Sequence, residues 1–281
     1  MKKQWLIVGL ISMLIANWLS IPTATAPKKK KAVKQQSMIL ATTTSLQDSG
    51  LLDFLIPKFA KKNKINVKTI AVGSGEALKM GERGDADALL VHSPDKEKEF
   101  MNNGYGTKRV TFMHNYFAIV GPKNDPAGVS SLSTAVDSFK AIASSKTNFI
   151  SRGDQSGTHL KELKIWDKAK ITPQGSSWYI ESGQGMGATL MLANQKYAYT
   201  LSDRSTFYVY KKKAKDLAIL TNQSDDLVNR YSVITVSTKT KMKIKKAPAK
   251  KFMVWINSKK VKKMIATFGL TKFGKPIFYV D

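Results

Sequence analysis

Between residues 38 and 101 the chain alternates three times between a short run of β-forming apolar residues and a segment with apolar residues at helical spacing. The strand-like runs are residues 38–41, 65–72 and 86–91. Between and after them, Leu51, Leu52, Leu55, Ile56 and Phe59, then Ala77, Leu78 and Met80, and then residues 95–101 follow the helical period. Such β-α-β-α-β-α order argues a parallel sheet covered by helices. Pro57 falls inside the first helical pattern and predicts a kink or an early stop. A long β-rich run, 110–120, ends at Gly121-Pro122, and a second set begins. It has helices near 133–143 and 187–195, strands at 148–151, 197–201, 217–220 and 231–236, and an extended piece at 178–181. A helix carrying Leu160, Leu163 and Trp166 on one face follows the strand at 148–151, and two amphipathic helices near 249–257 and 259–268 close the chain. Two α/β units of similar size therefore share 281 residues without a long linker.

The ends of the chain add constraints of another kind. Met1-Lys2-Lys3, an apolar run from Trp5 to Leu19 and the small-x-small Ala24-Thr25-Ala26 predict a secretory signal over residues 1–26. A charged leader, "PKKKKAVKQQ", occupies residues 27–37 with Ser37. The mature protein is expected to be periplasmic, and without a cysteine at the cleavage site it is not a lipoprotein. The absence of cysteine also excludes disulfides, thiolate metal sites and a cysteine nucleophile. A net charge of +26, from 46 Lys and Arg against 20 Asp and Glu, raises a nucleic-acid or polyanion binder as an alternative. The lysines crowd at 28–34, 211–215 and 239–263, with no zinc-finger spacing and no aromatic RNA-binding signature, so a solvated basic surface is the simpler expectation and no nucleic-acid partner is inferred.

Open α/β sheets bind ligands at the carboxyl ends of their strands. Hydroxyl and glycine clusters fall at three such ends here: Thr42-Thr43-Thr44-Ser45, expected as a turn; Gly73-Ser74-Gly75; and Arg152-Gly153-Asp154-Gln155-Ser156-Gly157-Thr158. A helix N-terminus presents unpaired N–H groups and partial positive charge. Glycine admits close approach, hydroxyls add donors, and an arginine adds a planar fork. Each cluster alone is also explained by helix capping. Together they point to a small oxyanion.

Other chemistries lack their signatures. No G-x-x-x-x-G-K-[ST] occurs, and Gly183-Gln184-Gly185-Met186-Gly187 lacks dinucleotide spacing, which leaves a glycine hinge or a close backbone approach. Ser156, His159 and Asp154 crowd one turn without the G-x-S-x-G elbow, which argues against a hydrolase using Ser156. His92, His114 and His159 show no metal-ligand spacing, so no metal, cofactor or catalytic residue is assigned.

The segments "ATTTSLQDSGLLDFLIPKF", "VGSGEALKMGERGDADALLVHSP", "NYFAIVGPKNDPAG", "FISRGDQSGTHLKELKIW" and "WYIESGQGMGATLMLANQKYAYTLSDRSTF", in this order, resemble the tungstate-binding periplasmic component of bacterial ABC importers. The resemblance runs from about residue 38 to 236 and is weak beyond Thr238. It implies a two-lobed α/β solute-binding fold, each lobe a mixed, mostly parallel sheet flanked by helices. Residues 38–120 and 230–281 would form one lobe and 121–229 the other, joined by two hinge crossovers near Gly121 and Asn229. It also implies a monomer that carries tungstate or molybdate to a membrane permease. Carried over from the related phosphate binders, Arg152 contacts the oxyanion and Asp154 orients it. Ser156, Gly157 and Thr158 donate from the helix start, and Thr43, Thr44, Ser45 and Ser74 donate from the first lobe. Phosphate binders place an aspartate after the third strand, to accept the proton phosphate keeps. Here that stretch is Leu90-Val91-His92-Ser93-Pro94 with Asp95 beyond. With Asp95 outside the cleft, tungstate or molybdate is favoured over phosphate.

Overall fold

A computed structural model describes residues 35–239 and 243–281. The signal segment and all but the last residues of the leader lie outside the described residues. Ten strands and eleven helices follow one another along the described chain. The first lobe opens with β1 (Gln36–Thr43), α1 (Thr44–Asp48), α2 (Leu51–Asn63), β2 (Ile65–Val72), α3 (Ser74–Arg83), β3 (Ala88–Val91) and α4 (Pro94–Asn102). Gln36 and Ser37, assigned above to the leader, are already strand, opposite Ile65 and Asn66 of β2. A 17-residue strand, β4 (Gly106–Pro122), then leads into α5 (Ala135–Ser145), β5 (Phe149–Ser151), α6 (Gly157–Ala169), β6 (Tyr179–Glu181), α7 (Met186–Lys196), β7 (Thr200–Asp203), α8 (Arg204–Tyr210) and β8 (Leu217–Ile219). The chain returns through β9 (Val228–Val236) and ends in α9 (Lys246–Ile256), α10 (Lys259–Ala266), α11 (Leu270–Phe273) and β10 (Tyr279–Val280).

The long strand β4 belongs to two sheets. From Gly106 to Tyr116 it lies antiparallel to β9, in the order β10-β4-β9-β3-β1-β2. From Phe117 it pairs instead with β7 and β8. A short parallel pair, β5-β6, joins this second group through a bridge between Phe149 and Tyr199. The sheets are mixed, as the resemblance implies. They are not mostly parallel, however: among the described residues parallel pairing is limited to β1-β2, β1-β3, β5-β6 and the Phe149–Tyr199 bridge, whereas every strand paired with β4 or β9 is antiparallel to it. Only β4 takes part in both sheets, and β9 runs back antiparallel along its first half.

Each sheet is covered on both faces. In the first lobe Met38, Leu40, Leu90 and Val233 point to α2, α9 and α10, while Ala41, Leu89, Val91 and Ile234 point to α3 and α4, the alternation a strand imposes. In the second lobe Phe117, Ile119 and Leu201 pack on α5 and α6, and Ala118, Val120 and Ile150 on α7 and α8.

Three local expectations are corrected. Helix α2 does not stop at Pro57. An interior proline costs about 3 kcal/mol, but Leu51, Leu52, Leu55 and Phe59 are buried on both sides of it, each worth about 1.5–3 kcal/mol, and Pro57 itself faces solvent. Thr42 to Ser45 is not a turn: β1 runs through Thr43, and α1 starts at Thr44 because Thr43 Oγ1 accepts the Leu46 N–H at 3.4 Å. The buried face of α6 is Thr158, Glu162, Ile165, Trp166 and Ala169, not the Leu160-Leu163-Trp166 stripe. Helix α8 gave no helical signal, since "RSTFYVY" is rich in β-formers. Asp203 nucleates it by capping the Thr206 N–H at 2.9 Å.

Candidate anion-binding site

Six helices begin where strands end: α1 after β1, α3 after β2, α4 after β3, α6 after β5, α7 after β6 and α8 after β7. Packing brings their first turns together across the two lobes. A methyl group added to Gly73 would lie 3.3 Å from Ser156 Cα, and one on Gly75 would lie 3.1 Å from the Gln155 carbonyl oxygen. One on Gly157 would lie 2.5 Å from His92 Cε1, and one on Gly185 would lie 3.7 Å from Thr44 Cβ. The glycines are therefore the places where one lobe's backbone meets the other, and a side chain at Gly157 would collide with His92. Thr206 Oγ1 donates to the Ser45 carbonyl at 3.3 Å, tying α8 to α1.

Arg152 stands in the middle, 2% exposed. Its Nη2 donates to Thr44 Oγ1 of the first lobe at 3.2 Å, and its Nε to the Gln184 carbonyl at 3.2 Å. Asp154 holds the same guanidinium through Oδ2, and its Oδ1 accepts the Ser156 N–H at 3.1 Å. Both carboxylate oxygens are thus occupied by lobe-two donors, and the loop reaches this shape with Gly153 and Gln155 at positive φ, 60° and 57°.

The hydroxyls around Arg152 share a pattern. Thr43, Ser74 and Ser156 each accept a backbone N–H, from Leu46, His92 and His159 respectively. With a lone pair spent on that acceptance, the O–H proton stays free to donate. Ser45 Oγ lies 3.3 Å from Thr43 Oγ1 and 3.5 Å from His92 Nε2. Thr158 Oγ1 is buried without a hydrogen-bond partner, an arrangement that costs about 1–3 kcal/mol unless something accepts from it. Thr43, Thr44, Ser45, Ser74, Arg152, Ser156, Gly157 and Thr158 are all brought to this junction.

The surrounding charges are arranged asymmetrically. Burial, followed by the Arg152 charge, pushes His92 down to about 3, so its ring is neutral. Its Nδ1 has no partner. Asp95, its side chain 67% exposed, is paired with Lys164 of α6, which holds its carboxyl below the usual range, and with His92 and Gly157 it lines a cavity beside the junction. The cavity, of about 500 Å³, lies between α4, α6 and the crossover at Phe117 and Val228.

Sequence reasoning missed three participants. The glycine stretch 183–187 starts α7, whose cap Gly185 faces Thr44. Asp48 takes the Gly187 N–H and is raised by burial and then by Asp203. Asp203, raised by burial, is saturated by Asn115, Ser205 and Thr206. The strand-glycine-helix pattern at Gly185 was visible in the sequence. Asp48 and Asp203 gave no signal, because only the fold brings them near Arg152.

Residues 23–260 match the family model for the PBP superfamily domain. A tungstate-binding protein, TupA, of Peptoclostridium acidaminophilum is 42% identical over 99% of this chain and 98% of its own length. The crystal structure of a tungstate ABC transporter protein from Geobacter sulfurreducens is 44% identical, with a TM-score of 0.75 over 83% of this chain and 98% of that one. The tungstate-binding TupA of Desulfovibrio alaskensis G20 is 41% identical, with a TM-score of 0.73 over 88% and 99%. The chain belongs to the PBP superfamily, in the same family as these tungstate-binding proteins.

Proposed function

We propose that the chain binds a tetrahedral oxyanion, tungstate foremost, between its two lobes and hands it to the permease of an ABC importer. The reading rests on one observation above others: hydroxyl donors and helix N-termini from both lobes converge on a buried arginine, while Asp95 is taken up by Lys164. Tungstate and molybdate are fully deprotonated near neutral pH and only accept hydrogen bonds. Phosphate keeps a proton that needs an acceptor, and Asp154, the carboxylate beside Arg152, already accepts from the guanidinium and from the Ser156 N–H, which makes it a poor acceptor for that proton. A buried O–H without an acceptor is costly, so such a site rejects phosphate.

In this reading Arg152, Ser156, Gly157 and Thr158 hold the anion from the second lobe, and Thr43, Thr44, Ser45 and Ser74 from the first. Residues 38–120 and 230–281 move against 121–229 by hinge motion about β4 and β9. The protein acts by binding and release rather than by catalysis, as an exported periplasmic component. Molybdate shares the charge and nearly the size of tungstate and is the next candidate. Among the described residues no helix is long and apolar enough to cross a membrane.

Calorimetry with tungstate, molybdate, sulfate and phosphate tests the proposal. Tungstate is expected to bind most tightly and phosphate least. At a thousand times its dissociation constant the ligand should stabilise the fold by about 4 kcal/mol. Heat from phosphate alone, or from none of the four, overturns it.

A further inference from the structure

The positive charge is not spread evenly. No Asp or Glu occurs between Asp226 and Asp281, a stretch dense in lysine. The fold puts the helices of this stretch, α9 and α10, on one side of the first lobe together with α2. Helices α2, α9 and α10 bury their apolar faces in a common core, where Phe59 meets Phe252 at 5.1 Å and Trp255 at 5.2 Å, with Val261 and Ile265 beside them. Their outer faces are therefore one continuous surface. Lys58, Lys62, Lys250, Lys251, Lys260 and Lys263 are exposed on it. Among the described residues, none of these six has a carboxylate partner. The one acid on the three helices, Asp53, is engaged by Gln47 at 2.9 Å. Val254, one turn beyond Lys250 and Lys251, is 65% exposed. The three helices carry no arginine to fork onto a phosphate or a base.

We propose that this face docks on an anionic phospholipid surface. Flexible ammonium groups around an outward apolar side chain suit a plane of mobile headgroups. Nucleic-acid binding favours arginine forks and exposed stacking aromatics, which this face lacks. The surface is on the opposite side of the sheet from α3 and α4 and contributes nothing to the Arg152 junction. It would hold the protein in the plane where a membrane partner is met, and it does not depend on which anion fills the cleft.

The test is co-sedimentation with vesicles of phosphatidylcholine, with and without phosphatidylglycerol, using the protein in the form the cell produces. Binding is expected only with the anionic vesicles, and it should vanish on raising salt from low to about 0.5 M. Reversing Lys250, Lys251, Lys260 and Lys263 to Glu should weaken it by about a hundredfold or more, given what each lysine contributes near such a surface. Reversing the exposed Lys168, Lys196, Lys211 and Lys212 of the second lobe changes net charge equally and should weaken it far less. Equal loss in both variants, equal binding to neutral vesicles, or retention on duplex DNA without vesicle binding overturns the proposal. An unchanged melting temperature shows that the variants fold. If the fourfold reversal does not fold, the Lys250→Gln, Lys251→Gln pair replaces it, with about a tenfold loss expected and no loss refuting the face.

Discussion

The two sides of the cleft are made from different chemistry. The second lobe supplies the charge: Arg152 is buried, already held by Asp154 and Gln184, and followed by a helix start. The first lobe supplies almost no charge. It offers Thr43, Thr44, Ser45, Ser74 and a neutral His92. A guanidinium attracts any small anion, so the second lobe alone is a poor judge of identity. Discrimination falls to the first lobe, where the choice between a donor and an acceptor decides which protonation state fits. The division predicts a hierarchy: damage to the second lobe should remove affinity for every oxyanion, and changes in the first should alter which oxyanion is preferred.

The most severe break is Arg152→Ala. It removes the fork and leaves Asp154 without its cation, a loss of about 3–5 kcal/mol when a buried pair is broken. Calorimetry should show tungstate affinity falling more than a hundredfold, with molybdate and sulfate falling in parallel. Affinity for one anion surviving intact would show that charge does not come from this lobe alone.

His92→Asp sharpens the other half of the comparison. It sets a carboxylate where a neutral ring now lies 3.5 Å from Ser45 Oγ. Tungstate binding should weaken about a hundredfold, the scale of an unpaired, repelled acceptor in a buried site, while phosphate gains. His92→Asn, which has the shape without the charge, should do neither to the same degree. If Asn and Asp behave alike, acceptor chemistry at this position is not what separates the ligands.

A smaller effect is expected for Thr158→Val. The hydroxyl is buried and unpaired, so deleting it should leave the melting temperature of the empty protein unchanged or slightly higher. If it donates to the bound anion, affinity should fall about tenfold, the worth of a hydrogen bond to a charged acceptor. A drop in stability with no change in affinity would assign Thr158 to the fold and remove it from the site.

Much of this was legible in the chain because strand ends and helix starts are local events. Ile65 to Val72 alternates and is bounded by Gly73, and it forms β2 without adjustment. The Arg152 to Thr158 stretch carries its cap, its glycines and its arginine within seven residues. What resisted reading was set by distance in sequence. Glu162 is buried on α6 only because Ser151 and Tyr179, from the β5-β6 pair, donate to it. Asp203 is held at full burial by its own neighbours Ser205 and Thr206, but Asn115, which joins them from β4, lies far off in sequence. The antiparallel return of β9 follows from a crossover that no window of a few residues contains.

Beneath the cleft the asymmetry is reversed, and each lobe buries a glutamate. Glu97 of the first lobe caps the Ser93 N–H at 2.7 Å and is paired with Arg109 at 2.7 Å. Glu162 of the second lobe has only neutral donors, Ser151, Trp166 and Tyr179, and burial pushes it up to about 7. Between pH 4.5 and 7 the folded chain therefore holds a proton on Glu162 that the unfolded chain has released, and stability falls as pH rises through that range. His92 acts in the opposite sense: unfolded it binds a proton below about 6.5, folded it does not until about 3, so its contribution to stability rises with pH between those values. From about 4.5 to 6.5 the two slopes oppose each other, each at most about 1.4 kcal/mol per pH unit. Glu162→Gln removes one of them. The melting temperature of the variant should climb relative to wild type across that interval, by a few degrees per pH unit at this chain length, and the difference should level off above about pH 7. Parallel melting curves at every pH would mean that Glu162 is ionised in the fold, its charge carried by neutral donors alone.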